Sequence, residues 1–255
     1  MLNNPTVEKL KDMKLKVMAQ MLNDPDPGLR ELSFEERLGI MVEKEWLSRK
    51  NSRIKRLLYN ASLGMNACIE DIDYTQDRKI DKKAIQTLST CAFIVQRLNV
   101  VITGKTGTGK SYLACALGNN ACRHGYTVKY YRMPELLLEI QEAKSENGYH
   151  KFMNQLHNVK LLILDDIGLK SYTLEESRDI LEIAESRYNK ASTVLSGQIP
   201  HTHWYDLFPD PTLADAIMDR VIHNAYIFAL DSKKSMREVM AEKTIKDIER
   251  NGILS

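Results

Sequence analysis

The residues with the clearest chemical meaning form one stretch, Gly104-Lys-Thr-Gly-Thr-Gly-Lys-Ser111, directly after the apolar run Val100-Val-Ile102. Glycines in this spacing let the backbone curl so that successive N–H groups point at phosphate oxygens. The helix expected next would offer its positive N-terminal end to the same anion. Lys110 could then reach the β- and γ-phosphates, and the Ser111 hydroxyl is a natural Mg²⁺ ligand. The stretch predicts that ATP and Mg²⁺ bind at Gly104, Lys105, Thr106, Gly107, Thr108, Gly109, Lys110, Ser111 and Tyr112.

Two adjacent carboxylates follow the second strong signal, the aliphatic run Leu161–Leu164. Such a run suits a strand buried on both faces, and ligands bind at the carboxyl ends of parallel strands. We expect Asp165 to hold the magnesium ion, through water, and Asp166 to orient or deprotonate an attacking water. The alternative is that these acids only cap the next helix. With a phosphate loop upstream, the pair favours metal-assisted hydrolysis.

A third polar group, Ser196 and Gln198, follows the β-forming run Ser192–Leu195. Both residues would lie beside the γ-phosphate and the attacking water if this strand neighbours the strand before the phosphate loop. Either side chain could sense the phosphate, and the sequence does not distinguish between them.

Alternating strands and helices must position these groups. Apolar patterns predict strands at residues 100–102, 127–131, 161–164 and 192–195, and helices at 112–123, from Pro134 onward, and at 175–189. Further helices are expected at residues 81–97 and 234–250, the second as a short lid. Strands that alternate with helices imply an α/β fold with a parallel sheet covered on both sides.

The region before this core has helical periodicity and one distinctly basic stretch. Leu10, Met13, Val17 and Met21 share one helical face, and Asp24-Pro-Asp-Pro-Gly28 ends that helix. A second helix is expected to begin at Ser33, in a capping box with Glu36. Its inner side would carry Leu38, Met41, Val42, Trp46 and Leu47. We therefore predict a helical domain at residues 1–67 and an ATPase domain at residues 68–255.

The later half of the second helix carries cations without an intervening acid, namely Arg49, Lys50, Arg53, Lys55 and Arg56. Such a face suits a phosphate backbone, where affinity comes largely from released counterions. The alternative is a solvated face in which Glu45 pairs with Arg49. Largely sequence-independent binding to duplex DNA is the functional hypothesis for these residues.

Composition excludes several other classes of protein. The net charge of +2 excludes a polybasic chain, so any basic surface must be local. The four cysteines lack metal-site spacing and are expected to be structural. No signal peptide and no apolar run of about 20 residues is visible, so we expect a cytoplasmic protein. His201 and His203 do not suit a shared metal, and Trp204 is expected to be buried rather than to stack on nucleic acid.

The motifs together resemble those of the AAA+ ATPases, and more narrowly of the IstB-type helpers of insertion-sequence transposition, which are related to DnaC-type helicase loaders. The resemblance rests on Glu45–Arg56, the phosphate loop, Leu161–Gly168, Ser196–Pro200, Asp215–Asn224 and Ser235-Met-Arg237. The chain departs from the family pattern just before Arg237. Members of the family more usually have Gly-x-Ser-x-Arg there, whereas this chain has Lys233-Lys-Ser-Met-Arg237.

The resemblance implies two further site residues. Arg220 would be an arginine finger donated to the ATP of a neighbouring subunit, and Arg237 a second sensor that reaches the γ-phosphate of its own subunit. It also implies self-association on duplex DNA and a cognate transposase as partner. Three alternatives stay open: a DnaC-like helicase loader, a small-molecule kinase, and an ATP-gated scaffold that does not hydrolyse ATP.

Overall fold

The computed structural model describes residues 5–24, 26–29, 31–75, 79–232, 234–239 and 241–242. The chain divides into two compact units, residues 1–56 and residues 57–255. The sequence predicts a boundary near residue 68, which stays a prediction about functional domains. Residues 57–67 contribute Leu57, Leu58, Ala61, Leu63 and Ala67 to the hydrophobic clusters of the second unit.

The first unit is helical, with α1 at Pro5–Asp12, α2 at Lys16–Asn23 and most of the long α3. Helix α3 begins at Phe34 and ends at Ala61, so its last five residues belong to the second unit. A small core of Val7, Leu10 and Ala19 joins α1 and α2. The expected single helix through residues 10–22 is wrong. Lys14 adopts a left-handed backbone conformation with φ of 61°, which separates the two helices.

The start of α3 agrees with the sequence, but its predicted apolar side does not. The Ser33 backbone N–H and hydroxyl donate to Glu36, and the Glu36 N–H donates back to Ser33 Oγ, which forms the expected capping box. Leu38, Val42, Trp46 and Leu47 were expected on the inner side, yet Trp46 is 53% exposed and the other three are also exposed. Helical periodicity identifies an apolar face but not whether another element covers it.

The second unit is built on a five-stranded sheet in the order β2-β3-β4-β1-β5, in which every described pairing is parallel. The strands are β1 at Asn99–Gly104, β2 at Val128–Arg132, β3 at Leu161–Ile167, β4 at Ser192–Gly197 and β5 at Ala225–Leu230. Because β4 pairs with β1, the condition attached to Ser196 and Gln198 is met. The α/β parallel-sheet prediction is confirmed.

Helices cover both faces of this sheet. They are α4 at Lys82–Ser89, α5 at Ala92–Val95, α6 at Lys110–Arg123, α7 at Met133–Ser145, α8 at Tyr149–Asn158, α9 at Leu174–Arg187 and α10 at Pro211–Ile222. Alternate strand residues belong to different cores: Ile163 packs with α4, α5 and α6, whereas Leu162 packs with α7, α8, α9 and α10. This alternation explains why β3 is a continuous aliphatic run.

One further predicted helix differs from the structure, and three elements were missed. The helix expected at residues 81–97 is interrupted at Cys91, whose φ is 59°, so it forms α4 and α5. Helices α8 and α10 and strand β5 were not predicted. The helix expected at residues 234–250 lies largely outside the described residues. Among the helices that the structure describes, none has the length and apolar character needed to span a membrane.

Candidate functional site

The phosphate loop lies between β1 and α6, as its sequence predicts. Strand β1 ends at Gly104 and α6 begins at Lys110. Gly104 has φ of 151°, and a Cβ there would lie 2.3 Å from the Leu230 carbonyl oxygen, so only glycine fits beside β5. Gly107 and Gly109 also have positive φ, 82° and 93°. The curled backbone that phosphate binding needs is therefore present in the structure.

Lys110 is buried at the base of this loop. Its Nζ donates to the Lys105 carbonyl oxygen at 2.9 Å, which closes the loop on itself. Burial lowers the pKa of Lys110, while the negative charges of Asp165 and Asp166 oppose that shift. The lysine charge thus lies within the electrostatic reach of both predicted carboxylates.

Asp165 is held by neighbours on both sides of β3. Tyr130 on β2 donates its hydroxyl to Asp165 Oδ2 at 2.9 Å, and Ser196 on β4 donates to Asp165 Oδ1. The Asp166 backbone N–H also donates to Oδ1, at 2.9 Å. Asp165 is only 2% exposed. Three hydrogen bonds to its two carboxylate oxygens fix the orientation of this side chain.

Asp166 lies at an irregularity in the sheet, where the pairing of β3 with β4 shifts between Leu164 and Ile167. Its φ of 61° turns its side chain out of the normal strand alternation. Arg132 Nε donates to Asp166 Oδ2 at 2.8 Å, at the end of β2. The two adjacent carboxylates therefore have different partners, which is consistent with the different roles predicted for them.

The structure gives the two candidate sensors different surroundings. Ser196 is fully buried and contacts Asp165. Gln198 instead accepts a hydrogen bond at its Oε1 from the Thr106 hydroxyl of the phosphate loop, at 3.0 Å. Of the two candidates, Gln198 is thus the one whose side chain contacts the loop, whereas Ser196 contacts Asp165.

A cavity of about 370 Å³ adjoins the loop, within the range of ~300–1,000 Å³ that small-molecule sites occupy. Its lining includes Gly107, Lys110, Ser111, Tyr112, Asp166, Gln198, Arg237 and, from the segment after α3, Met65, Ile72 and Asp73. The Met236 N–H donates to the Gly107 carbonyl oxygen at 2.7 Å, which brings Arg237 to the loop. Most of the predicted loop residues, from Thr106 to Tyr112 except Thr108, therefore share one cavity with Asp166, Gln198 and Arg237, whereas Gly104 and Lys105 do not line it.

Arg220 lies away from this cavity, at the opposite edge of the sheet. It is near the end of α10, and its carbonyl oxygen accepts a hydrogen bond from Asn99 Nδ2, at the first residue of β1. The phosphate loop follows the last residue of β1. At ~3.3 Å per residue the strand separates the two by about 16 Å. The Arg220 guanidinium donates to Glu185 Oε1 at 2.9 Å and to the Ala216 carbonyl oxygen at 2.7 Å.

The basic residues of α3 divide into two groups. Arg49 binds Glu45 at 2.8 Å and the Lys14 carbonyl oxygen at 2.8 Å, while Glu45 accepts the backbone N–H groups of Val17 and Met18. Arg49 therefore forms part of the junction between α2 and α3. Lys50, Arg53, Lys55 and Arg56 are exposed. Arg53 and Arg56 line a cleft of about 280 Å³ together with Lys14, Lys16 and Arg49.

The donor set at the loop suits magnesium. Ser111 and Asp165 offer a hydroxyl and a carboxylate, and Mg²⁺ prefers oxygen ligands with few protein side chains when phosphates are present. Within the part of the chain that the structure describes, no cluster of three or more His, Cys, Asp or Glu side chains could hold a metal by itself. Three of the four cysteines are buried, and burial raises the pKa of Cys91 and Cys115 to about 11 and of Cys122 to about 12.

Sequence reasoning missed three residues that contact the predicted ones, namely Tyr130, Arg132 and Glu185. The register of β2 with β3 places Arg132 opposite Asp165, which no local pattern reveals. A polar or aromatic residue at the end of a predicted strand is the signal that could have drawn attention to the first two. The prediction for Trp204 was correct, since this side chain is 1% exposed.

Comparison with known proteins agrees with this geometry. The chain matches the family of IstB-like ATP binding proteins over residues 8–244. It is 37% identical to an insertion sequence ATP-binding protein of Sinorhizobium fredii over 246 residues, which cover 96% of this chain and 100% of that protein. Among solved structures, it is similar to the replication initiator DnaA bound to AMPPCP and single-stranded DNA, with a TM-score of 0.57, 20% identity and coverage of 74% of this chain and 57% of that chain.

A DnaC helicase loader is also similar, with a TM-score of 0.51, 17% identity and coverage of 68% of this chain and 98% of that chain. At these identities the two structures establish the fold alone, which is that of the AAA+ P-loop proteins. The family match spans most of the chain. The phosphate loop of this chain and the cavity beside it have the geometry that nucleotide binding requires. This chain belongs to the family of IstB-like ATP-binding proteins.

Proposed function

We propose that the protein is an ATPase helper of transposition. It assembles on duplex DNA, hydrolyses ATP between subunits, and recruits or regulates a transposase. The transposition role is supported by the name of its relative in Sinorhizobium fredii, an insertion sequence ATP-binding protein. The intersubunit site is supported by one observation above all, the position of Arg220 at the sheet edge opposite to its own phosphate loop.

The proposed chemistry uses groups whose surroundings are known. The loop N–H groups and Lys110 would bind the phosphates, and Arg237 would contact the terminal phosphate from the same cavity. A magnesium ion held by Ser111 and Asp165 would neutralise charge on the phosphates. Asp166, which faces the cavity, would orient the attacking water. A cation must still stabilise the charge that develops on the transferred phosphoryl group, and Arg220 from a second copy would supply it.

The basic residues Lys50, Arg53, Lys55 and Arg56 are proposed to contact the DNA backbone, with Arg49 as the residue that holds their helix against α2. Phosphate contacts of this kind bind without reading sequence. Helicase loading of the DnaC type remains the alternative function, because this chain and a DnaC helicase loader share a fold. The loader would act through a replicative helicase and would leave transposase activity unchanged.

Steady-state ATP turnover as a function of protein concentration and duplex DNA tests the proposal. We expect turnover per subunit to rise steeply with both, because the site is complete only between assembled copies. Asp166→Asn is the control that should bind ATP without hydrolysing it. Turnover that is independent of protein concentration and DNA, or that transfers phosphate to a small molecule, would contradict the proposal. Strand transfer by a transposase encoded beside this protein should become faster when the protein is added. A helicase loader would not have this effect.

A further inference from the structure

Tyr130 occupies a junction that the predicted chemistry does not explain. Its hydroxyl donates to Asp165 Oδ2 at 2.9 Å, while its ring packs with Ala67 and with Cys115 and Ala116 of α6, the helix that follows the phosphate loop. Residues of the segment after α3 also border this ring. A Cβ on Gly64 would lie 2.9 Å from Tyr130 Cζ and from its hydroxyl oxygen, so the backbone of Gly64 rests directly on the end of the tyrosine side chain.

A second contact joins β2 to the segment after α3. Lys129, the neighbour of Tyr130 on β2, donates to Ser62 Oγ at 3.2 Å. Strand β2 is therefore joined to the segment Ser62–Gly64 by a hydrogen bond and by ring packing.

We propose that Tyr130 is a positioning residue, which sets the orientation of the Asp165 carboxylate and makes that orientation depend on the segment Ser62–Gly64. The proposal rests on the proposed function, since it concerns the aspartate assigned to magnesium. It deepens that function by naming the route through which the end of α3 acts on the nucleotide site. Displacing Gly64 moves the ring, and the ring carries the only side-chain hydroxyl that reaches Asp165 Oδ2 among the described residues.

The test measures how strongly Mg²⁺ tightens nucleotide binding, without DNA and without turnover. The dissociation constant of a fluorescent ATP analogue is determined in EDTA and in Mg²⁺. The ratio of the constant in EDTA to the constant in Mg²⁺ is then compared between variants. Tyr130→Phe keeps the ring and removes the hydroxyl. We expect binding in EDTA to be unchanged and the ratio to fall roughly tenfold, as is usual when a residue behind a metal ligand is replaced.

The adjacent tyrosine provides a matched control. Tyr131 hydrogen-bonds to Glu139 instead, so Tyr131→Phe removes a comparable hydroxyl and should leave the ratio at the wild-type value. An unchanged ratio in Tyr130→Phe would overturn the proposal. Weakening of binding by the same factor in EDTA and in Mg²⁺ would also overturn it, because it would show a purely structural role.

Gly64→Ala tests the dependence on the preceding segment. The added methyl group must displace the tyrosine, so the ratio should fall as in Tyr130→Phe, and combining both changes should cause no further loss. Gly39→Ala is the control, because a Cβ there meets nothing within 4 Å. A wild-type ratio in Gly64→Ala would refute the coupling. If the wild-type protein bound ATP but never hydrolysed it, the proposed function would fail while this ratio could still be measured.

Discussion

The two edges of the parallel sheet differ in what they offer to a nucleotide. At the carboxyl edge, the phosphate loop, Asp166, Gln198 and Arg237 surround one cavity, with Asp165 buried close behind it. At the amino edge, Arg220 is partly exposed and binds Glu185. The first edge has the cations and carboxylates that we propose to bind ATP and to activate water. The second carries the arginine that the family resemblance assigns to the transition state.

The fold itself separates these two sets of residues. Strand β1 begins beside Arg220 and ends at the phosphate loop, so the length of the strand keeps the two apart within one copy. A parallel sheet places all its carboxyl ends together, which makes one edge rich in ligands for the nucleotide. A second copy that brings its amino edge to this carboxyl edge would complete the site, and hydrolysis would then report on assembly.

The largest expected effect is on the hydrolysis rate, when the arginine at the amino edge is removed. Arg220→Ala should lower the hydrolysis rate of the assembled protein by roughly 10³–10⁵-fold, as loss of an arginine finger does, while ATP affinity stays near the wild-type value. Single-turnover hydrolysis and equilibrium binding of a fluorescent ATP analogue measure the two quantities. Arg178→Ala, which removes an exposed arginine of α9, is the control and should retain hydrolysis. A loss of ATP affinity in Arg220→Ala would place this arginine at its own nucleotide.

A smaller effect is expected at the carboxyl edge. Lys110→Ala should weaken ATP binding by roughly 10–100-fold, because it removes a charge-assisted hydrogen bond to phosphate. Lys105 is expected to bind phosphate through its backbone N–H, and its side chain is 82% exposed. Lys105→Ala keeps that N–H and should therefore change affinity little. Equal losses in the two variants would show that general positive charge, rather than the buried lysine, holds the phosphates.

Much of this carboxyl edge could be predicted because its signals are local. The phosphate loop, the run Leu161–Leu164 and the strand at Ser192 each follow from short patterns. Strand β5 was missed although Tyr226, Ile227 and Phe228 are typical strand formers. The contacts of Tyr130 and Arg132 with the two aspartates depend on the register between β2 and β3. Tertiary packing sets that register, and the sequence of neither strand indicates it.

Two of the helix predictions, at residues 10–22 and 81–97, failed for a related reason. The breaks at Lys14 and Cys91 need a left-handed residue, and neither residue type signals that conformation. The exposed side chains of Val42 and Trp46 lie on a face that periodicity alone assigned to the interior. Which element covers an apolar face is decided elsewhere in the chain.

The smallest expected effect concerns the basic face of α3. Replacing Arg53 and Arg56 together with Gln should reduce the slope of log affinity for duplex DNA against log salt by about 1.8, at about 0.9 for each phosphate that is no longer neutralised. Arg49→Gln should instead lower the thermal stability of the first unit, because Arg49 already binds Glu45 and the Lys14 carbonyl oxygen. Fluorescence anisotropy at several salt concentrations measures the slope. An unchanged slope in the double variant would show that this face does not contact DNA.

The most direct test of the divided site is complementation between two inactive proteins. Lys110→Ala lacks the loop lysine and Arg220→Ala lacks the finger, so neither alone should hydrolyse ATP on duplex DNA. Mixed in equal amounts, about one quarter of head-to-tail interfaces would join an intact loop to an intact finger, and turnover should recover to about that fraction of the wild-type rate. Mixing Lys110→Ala with a variant that carries both substitutions should recover nothing. A mixture of the two single variants that assembles on DNA and stays inactive would contradict the account.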